Sequence, residues 1–423
     1  MIKLLIISDD FTGALDAGVQ FTANGATTYV MVDSQIDYAK IASNIEVLVI
    51  DAETRHLDKT VAYQTVFSIV QQAIKIGIPY IYKKTDSALR GNIGAELTAA
   101  LQASGARHIH FIPAFPQMGR TTVSGIHYVN EIPVAQSVFG QDQFEPVLSS
   151  DIKEIIASQS EIETHIMGKK IPESCSSAEG ILVYDSSCDE DIKTIAYELM
   201  TKGEMYLMAG CAGFARMLSQ ILGFRGEQPR VPEIRANMLV ACGSVNPVSV
   251  AQCDDAECKG FPRFRLSPEQ KLNHDWVDSC DADAYIQQLH DSCKKNPMVI
   301  LDTNDAKDAE STTVYAKKRG VSSEQMRTHI MSVMGSLLKR LIDTGLNSTI
   351  LIMGGDSLIG FMRQAGIKLI SPVCEMECGV VLSQLKYNEK IINIISKSGG
   401  FGKETLFSDL SKTLSKLNER KEV

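Results

Sequence analysis

Hydrophobic and polar positions along the chain alternate between two periods. Short apolar, β-branched runs recur between longer segments in which apolar residues repeat every three to four positions. Runs of the first kind are typical of buried strands, and segments of the second kind are typical of amphipathic helices. In the first half this pattern predicts strands at 3–7, 28–32, 47–50, 80–82, 108–112, 181–184 and 206–208, and helices at 13–24, 59–75, 94–104, 189–201 and 213–222.

A change of pattern separates the two halves. The segment GFRGEQPRVPEIRANM has two glycines, two prolines and no apolar periodicity, which predicts a linker near 226–235. The alternation then resumes, with strands predicted at 238–241, 298–301, 349–353, 380–382 and 391–395 and helices at 246–259, 282–295, 322–344 and 357–364. Alternating strands and helices indicate a mostly parallel sheet. We therefore predict the α/β class, with two α/β domains at 1–230 and 236–423, each built on a mostly parallel or mixed sheet flanked by helices.

Length and charge support this organisation and exclude some classes of function. A chain of 423 residues is too long for one ordinary core. The formal net charge is −9 without a long basic run, which argues against nucleic acid as the main partner. No apolar stretch approaches the roughly 20 residues of a membrane span. The start, MIKLLIISDD, lacks a signal-peptide cleavage site, so we expect a cytoplasmic protein without a membrane partner.

Cysteine and histidine positions do not predict a metal site. None of the ten cysteines forms a CxxC pair, so we expect free thiols in a reducing compartment. The pair His108 and His110 would place both rings on one face of a strand, but a metal would need a third ligand that the sequence does not identify. The ten cysteines are Cys175, Cys188, Cys211, Cys242, Cys253, Cys258, Cys280, Cys293, Cys374 and Cys378.

Charged residues follow the first and third predicted strands. Asp9 and Asp10 end the first strand in ISDDFTGALDAG. Adjacent carboxylates repel each other, so one suits a helix N-cap while the second indicates a function. Arg55 follows the third strand in DAETRHLD, and a guanidinium can bind a carboxylate or phosphate. Because the carboxyl ends of parallel strands share one side of a sheet, we expect these residues to converge on one crevice.

The stretch KKTDSALRGNIGAEL follows the fourth predicted strand and adds more charge. Lys83, Lys84 and Arg90 can neutralise a bound anion, and GNIG begins a helix whose free N–H groups attract negative charge. The cations should lower the pKa of Asp86 and keep it ionised. Asp86 could then accept a proton from a substrate hydroxyl, orient that hydroxyl or hold a metal.

A long polar segment follows the fifth predicted strand. It reads IPAFPQMGRTTVSGIHYVN and contains Arg120. We expect a loop here, and loops of this length without structure are usually functional or mobile.

Three predicted strands of the second half end in glycine. They lead into Gly243–Ser244, Gly354–Gly355 and Gly399–Gly400. Glycine turns at strand ends allow backbone N–H groups to approach a polyphosphate, so together they favour nucleotide binding. The sequence contains neither GxxxxGK[ST] nor GxGxxG, so a Walker-type loop and the common dinucleotide fingerprint are both absent.

Six ordered motifs of this sequence resemble those of the four-carbon acid sugar kinase family. They are SDDFTGALDAG, KKTDSALRGNIGAEL, FPQMGRTTVSGIHYVN, GSVNPVSVAQ, MGGDS and KSGGFG, and they cover both halves of the chain. The resemblance implies ATP-dependent phosphorylation of D-threonate, D-erythronate or a 3-oxo-tetronate. It also implies that the sugar acid binds the amino-terminal domain and ATP the carboxy-terminal one. TDSALRGNIG is more similar to the threonate and erythronate members, which favours conversion of D-threonate to 4-O-phospho-D-threonate.

The resemblance also implies roles for individual residues. The implied substrate contacts are Asp9, Arg55, Lys83, Lys84, Thr85, Asp86 and Arg90, with Asp86, Asp9 and Asp10 as candidate catalytic carboxylates. The implied ATP contacts are Ser244, Gly354, Gly355, Asp356, Ser357, Gly399 and Gly400. GGDS and EMECGVV depart from the family's usual GGET and PGVP, although GGDS keeps an acid and a hydroxyl. Mg²⁺ would bridge the ATP phosphates, and no residue is assigned as its ligand.

Two functions of other classes remain as alternatives. A nicotinamide-dependent dehydrogenase would also use glycine turns in an α/β sheet, but the absence of GxGxxG counts against it. A non-catalytic sugar-acid binding protein would not need the glycine turns of the second half, and the lack of an export signal argues against it. The sequence leaves a homodimer open.

Overall fold

The chain folds into two compact units of α/β architecture. The computed structural model describes residues 2–32, 38, 41–142, 145–171, 178–224 and 226–419, without the side chains of 415–419. The units are Met1–Pro229 and Arg230–Val423, and the division falls within the segment for which the sequence predicts a linker. Helices flank the strands in each unit, which confirms the predicted fold class.

The first unit contains eleven strands and six helices among its described residues. The strands are β1 (Leu4–Ser8), β2 (Thr28–Met31), β3 (Val47–Asp51), β4 (Tyr80–Lys84), β5 (His108–Ile112), β6 (Arg120–Val123), β7 (Ile126–Val129), β8 (Ile132–Pro133), β9 (Thr164–Ile166), β10 (Gly180–Val183) and β11 (Leu207–Gly210). The helices are α1 (Phe11–Thr22), α2 (Lys59–Lys75), α3 (Ile93–Ser104), α4 (Ile152–Ala157), α5 (Asp189–Lys202) and α6 (Ala212–Ile221). Eight strands form a parallel array in the order β2-β3-β1-β4-β11-β5-β10-β9. All predicted strands and helices of this half are present.

Helix α1 is buried along its whole length. Every residue of Phe11–Thr22 is buried, and the helix packs against β2, β3 and α6. Asp10 caps its start, because Asp10 Oδ1 accepts a hydrogen bond from the backbone N–H of Gly13 at 3.1 Å. The carboxylate that the sequence assigns to an N-cap is therefore at the cap.

The segment after β5 is a small antiparallel sheet, so the prediction of a long loop is wrong. Strands β6, β7 and β8 pair in that order. Ser124 and Gly125 both have positive φ, 52° and 76°, which is the backbone of a tight hairpin turn. Their N–H groups donate to the two carboxylate oxygens of Asp185 at 2.9 Å each, which fixes the turn on the unit.

The second unit contains seven strands and seven helices among its described residues. The strands are β12 (Met238–Cys242), β13 (Arg263–Arg265), β14 (Met298–Asp302), β15 (Thr349–Met353), β16 (Leu369–Glu377), β17 (Val380–Tyr387) and β18 (Lys390–Lys397). The helices are α7 (Pro247–Cys258), α8 (Pro268–Leu272), α9 (Cys280–Lys295), α10 (Thr312–Lys318), α11 (Ser323–Asp343), α12 (Gly355–Gln364) and α13 (Leu406–Glu419). The strand order is β13-β14-β12-β15-β18-β17-β16, with parallel pairing as far as β18 and antiparallel pairing beyond it. The predicted elements of this half are all present.

The described part of the chain has free cysteines, as expected, and no helix suited to span a membrane. The nine described cysteines are free thiols, and Cys175 lies outside the described residues. No described helix combines the length and the apolar character that crossing a bilayer requires.

Candidate active site

Neighbouring strands of the first unit deliver the predicted charged residues to one side of the sheet. Strand β1 lies between β3 and β4, and Ser8 pairs with Asp51 on one side and with Lys84 on the other. The strands are parallel, so the residues that follow them leave the sheet together. Asp9 and Arg55, which follow β1 and β3, are in direct contact.

Arg55 is held by three carboxylates. Its Nε donates to Asp9 Oδ2 at 2.7 Å and its Nη2 to Asp10 Oδ1 at 2.6 Å, while Nη2 also lies 3.6 Å from Asp86 Oδ1. Burial disfavours the charge, but these carboxylates raise the pKa of Arg55 well above its ordinary value. Gly91 has φ +83°, and a Cβ there would lie 2.9 Å from Arg55 Cγ, so the backbone passes too close for other residues. Arg55 therefore orients the carboxylates, and its charge is already compensated.

Asp86 forms a bidentate ion pair with Arg90. Arg90 Nε donates to Asp86 Oδ2 at 2.9 Å, and Arg90 Nη2 donates to Oδ1 at 3.0 Å. Burial raises the pKa of Asp86, but Arg90 and Arg55 outweigh burial and hold the pKa well below its usual range. This direction favours the ionised form that the sequence analysis expects for Asp86. The same two arginines make Asp86 a weak proton acceptor, which suits a residue that orients a hydroxyl.

The two adjacent lysines of β4 have different environments, because side chains alternate between the faces of a sheet. Lys83 and Glu96 are both fully buried, and Lys83 Nζ lies 2.8 Å from Glu96 Oε2. The charge of Lys83 is thus compensated inside the unit, and the geometry does not support the prediction that Lys83 contacts the substrate. Lys84 is 3% exposed and donates to the backbone oxygen of Thr85 at 2.9 Å. Within the described part of the chain, Lys84 forms no salt bridge.

Lys83→Met should lower the free energy of unfolding by about 3–5 kcal/mol, because it leaves Glu96 buried without its partner. Denaturant titration of the purified variant measures this loss. The double variant Lys83→Met/Glu96→Leu is the matched control, and it should recover most of the stability because neither charge remains. A single variant as stable as the unaltered protein would show that this ion pair is not what keeps Glu96 in the core.

Asp51 is a candidate site residue that the sequence analysis did not select. It is 2% exposed, and its Oδ2 accepts no hydrogen bond from the described residues. Burial, and then the negative charges of Glu53 and Asp10, raise the pKa of Asp51 well above its ordinary value. Asp9 Oδ1 and Thr85 Oγ1 are likewise buried without a described partner. Buried polar atoms of this kind are normally satisfied by a ligand or by water. The position of Asp51 as the last residue of β3 is the sequence signal that could have identified it.

The antiparallel sheet supports the loop that carries Asp86. The guanidinium groups of Arg90 and Arg120 lie 5.1 and 5.6 Å from the centre of the Phe139 ring. Burial lowers the pKa of His127 to about 4, so this ring is neutral. His127 Nε2 donates to the backbone oxygen of Ser87 at 2.9 Å, because a carbonyl oxygen can only accept. Arg120 thus belongs to the support of the site.

The glycine turns of the second unit lie close together. A Cβ on Gly399 would lie 2.8 Å from Ser244 Oγ, and a Cβ on Gly354 would lie 3.6 Å from Ser244 N. Helix α12 begins at Gly355, and its N-cap Gly354, with φ +92°, provides no side-chain hydrogen bond. Among the described residues the first N–H groups of α12 thus have no side-chain cap, and such groups bind anions such as phosphate.

Other predicted ATP contacts have structural partners. Asp356 accepts two hydrogen bonds from Arg327, at 2.6 and 2.7 Å. Ser357 is 3% exposed, and a Cβ on Gly243 would lie 1.9 Å from Ser357 Oγ, so this hydroxyl packs against the Gly243 turn. Asp356 and Ser357 thus shape the start of α12. Their contact with ATP stays a prediction.

Lys397 lies beneath the Gly399 turn, and the sequence analysis did not select it. It is fully buried, and its Nζ donates to Gly399 O at 2.9 Å. Ser249 Oγ donates to the same oxygen at 2.8 Å. Burial lowers the pKa of Lys397 to about 8. Two donors therefore fix the direction of the Gly399 carbonyl and the shape of the turn.

Two protein-family models match the chain. The sugar-binding N-terminal domain matches residues 4–218, and the nucleotide-binding C-terminal domain matches residues 239–407. The chain belongs to the four-carbon acid sugar kinase family. This confirms the resemblance and favours a kinase over the dehydrogenase and binding-protein alternatives.

Relatives in the four-carbon acid sugar kinase family are similar over most of the chain. The D-threonate kinase of Salmonella typhimurium is 29% identical and covers 96% of this chain and 97% of its own length. The D-erythronate kinase of Heliobacterium modesticaldum is 23% identical, covering 81% of this chain and 80% of its own. The 3-oxo-tetronate kinase of Pseudomonas fluorescens is 21% identical, covering 95% of both chains.

Two solved structures show the same fold. A protein of Salmonella typhimurium LT2 superposes with a TM-score of 0.74 at 20% identity, over 96% of this chain and 98% of its own. A protein of Haemophilus influenzae superposes with a TM-score of 0.65 at 20% identity, over the same shares of the two chains, 96% and 98%. The two-unit architecture is therefore one that experimental structures also have.

Proposed function

We propose that this kinase transfers the γ-phosphoryl group of ATP to the terminal hydroxyl of D-threonate, with the sugar acid in the first unit and ATP in the second. The observation that carries the proposal is the ammonium group of Lys84. It is buried beside Asp9 and Asp86 but has no salt-bridge partner among the described residues. A buried cation in this state favours an anionic ligand. The 29% identity to a D-threonate kinase supports a sugar acid as that ligand.

The residues at the strand ends would each have a different role in the reaction. Lys84 binds the substrate carboxylate, and Arg55 orients Asp9 and Asp10. Asp86, held by Arg90, orients the attacking hydroxyl. The terminal oxygen forms a bond to the γ-phosphorus as the bond between that phosphorus and the β,γ-bridging oxygen breaks. ADP then leaves, and the hydroxyl proton passes to a carboxylate of the cluster. Most of the acceleration would come from positioning and charge stabilisation, as in other phosphoryl transfers.

Mg²⁺ would accompany the ATP phosphates and neutralise their charge. Mg²⁺ prefers oxygen ligands, and Asp9 Oδ1 is a buried carboxylate oxygen without a described hydrogen-bond donor. The donor chemistry of the site therefore fits this ion. Arg55, by holding the other oxygen of Asp9 at 2.7 Å, would keep Oδ1 in one orientation.

An ADP-release assay over D-threonate, D-erythronate, 3-oxo-tetronates and neutral threitol tests the proposal. We expect the highest kcat/KM with D-threonate, and phosphorus NMR should locate the phosphate on O4. A higher value with D-erythronate or a 3-oxo-tetronate would reassign the substrate within the same chemistry. Release of ADP with none of the acids, or a phosphate on O2 or O3, would overturn the proposal.

Gly355→Val should weaken ATP binding by about 10–100-fold, since one charge-assisted hydrogen bond of roughly 1.5–3 kcal/mol would be lost. The new side chain would stand at the uncapped start of α12 and keep phosphate away from the backbone N–H groups. Gly355 does not have a positive φ, so valine causes no backbone strain there. Calorimetric titration with ATP measures the effect. Gly345 has φ +87°, so Gly345→Ala would strain the backbone and cannot serve as a control. Gly400→Ala tests the third turn instead, because its Cβ would contact only Asn246 Nδ2, at 3.6 Å. Unchanged ATP affinity in folded Gly355→Val would refute the assignment of this turn.

A further inference from the structure

His108, His110 and Glu204 form a cluster on the side of the first-unit sheet at which the strands begin. This side is opposite to the candidate active site. His108 Nε2 lies 3.1 Å from Glu204 Oε2, and His110 Nε2 lies 3.9 Å from the same oxygen. The three ligand atoms are all within 4.8 Å of one another. Glu204, which follows His108 by 96 residues, is the third ligand that the sequence analysis could not identify.

Hydrogen bonding determines where the lone pair of His108 lies. His108 Nδ1 is 3.0 Å from the backbone oxygen of Ala178, and a carbonyl oxygen can only accept, so Nδ1 carries the proton. A neutral His108 ring then directs the Nε2 lone pair at a Glu204 oxygen 3.1 Å away. Two acceptors at this distance repel each other unless a cation lies between or beside them.

His110 distinguishes a metal ion from a simple proton. Its Nδ1 is 3.0 Å from the hydroxyl of Tyr184, while its Nε2 is buried and has no hydrogen-bond partner among the described residues. A proton on His108 would satisfy Glu204 and leave His110 Nε2 without a partner. A metal ion would satisfy all three side chains.

We propose that His108, His110 and Glu204 bind one divalent transition-metal ion, and that Zn²⁺ suits this donor set best. With bonds of about 2.0–2.2 Å, tetrahedral ligands lie about 3.3–3.6 Å apart, so the ligand atoms, which now lie within 4.8 Å of one another, must move closer together to close the site. The Glu204 side chain is 28% exposed, which gives the ion a route from solvent and leaves room for water as a fourth ligand. Ala178 and Tyr184 hold the outer nitrogens of the two rings, as is usual for metal-bound histidine.

The ion would link two neighbouring strands of the sheet. His108 and His110 belong to β5, Glu204 lies shortly before β11, and these strands are adjacent. The metal would therefore stabilise the entry of both strands and take no part in phosphoryl transfer. This inference does not depend on the proposed function.

Calorimetric titration of the chelator-treated full chain with Zn²⁺, without ATP or Mg²⁺, tests the proposal. We expect one tight site per chain, and both Glu204→Gln and His110→Gln should weaken it by about 100-fold or more. Zn²⁺ should raise Tm of the unaltered protein but not of Glu204→Gln, and Co²⁺ should give the visible absorption of a tetrahedral site. Because Glu204 is partly exposed, its variant tests the site even if His110→Gln fails to fold.

His165→Gln is the matched control. His165 Nε2 lies 3.6 Å from Glu163 Oε1, but this pair has no third ligand among the described residues. Zn²⁺ affinity should not change in this variant. The proposal is overturned if the unaltered chain lacks a tight site, or if Glu204→Gln binds as tightly as the unaltered chain.

Discussion

Lys84→Met should lower kcat/KM for D-threonate by about 10²–10⁴-fold, while the low rate with threitol changes little. The substrate carboxylate would lose up to two charge-assisted hydrogen bonds of roughly 1.5–3 kcal/mol each, and about 1.4 kcal/mol corresponds to tenfold. Steady-state kinetics with both substrates measures the difference. Threitol has no carboxylate, so it isolates the interaction that Lys84 would make.

The stability of this variant distinguishes loss of binding from loss of folding. Lys84 is buried without a described salt bridge, and Arg55 and Arg90 still hold the neighbouring carboxylates, so the variant should stay folded with only a small change in Tm. Lys84→Arg keeps the charge and should retain part of the preference for the acid. An equal loss with threonate and threitol would contradict an anchoring role for Lys84, and so would an unchanged rate with threonate.

Asp86→Asn should lower kcat by about 10²–10⁴-fold and leave ATP affinity unchanged, if this carboxylate orients or accepts the proton of the attacking hydroxyl. Single-turnover measurements at saturating substrate separate this effect from weaker binding. If Asp86 serves only to hold Arg90, KM for the acid should rise instead. Arg90→Lys is the matched control, because it keeps a positive charge near Asp86 and removes the bidentate geometry.

The dependence of kcat on pH shows whether Asp86 or Asp51 acts as the base. The pKa of Asp86 is lowered, so Asp86 is ionised throughout the range from about pH 5 to 8. If Asp86 acts on the hydroxyl, kcat should therefore not change with pH in this range. The pKa of Asp51 is raised, so Asp51 gains its proton-accepting form only as the pH increases through that raised value. A kcat that rises with pH, and that becomes level in Asp51→Asn, would transfer the role of base to Asp51.

The fold could be predicted where the hydrophobic period was unambiguous. Strands β1, β3 and β5 are fully buried and mostly apolar, and such runs are visible in a sequence. Strand β13 was missed because it has three residues, two of them arginine, at the end of the strand order. Strand β16 was missed because it contains Pro372 and its last residues include the exposed Glu375 and Glu377. In both cases neighbouring strands override a weak local preference.

The site could be predicted as far as strand ends determine it. Parallel strands bring their carboxyl ends together, so Arg55 and the two aspartates after β1 were expected to meet. The sequence could not show that Glu96 compensates the charge of Lys83, while Lys84 has no such partner among the described residues. Adjacent residues of a strand point to opposite faces of the sheet, and which lysine faces the core depends on how β4 pairs with its neighbours. Glu204 was missed because only the tertiary fold brings it to His108.

The complete burial of α1 would limit how the substrate range of this protein can change. A helix without a solvent-facing position cannot rotate or shift without repacking β2, β3 and α6. Under the proposed function, Asp10 at its start and the Arg55 contact that depends on it would hold the same position for each acid that binds. A change in the preferred stereoisomer would then require changes in the segments that α1 does not fix, above all the loop after β4 and the antiparallel sheet β6–β8 that supports it.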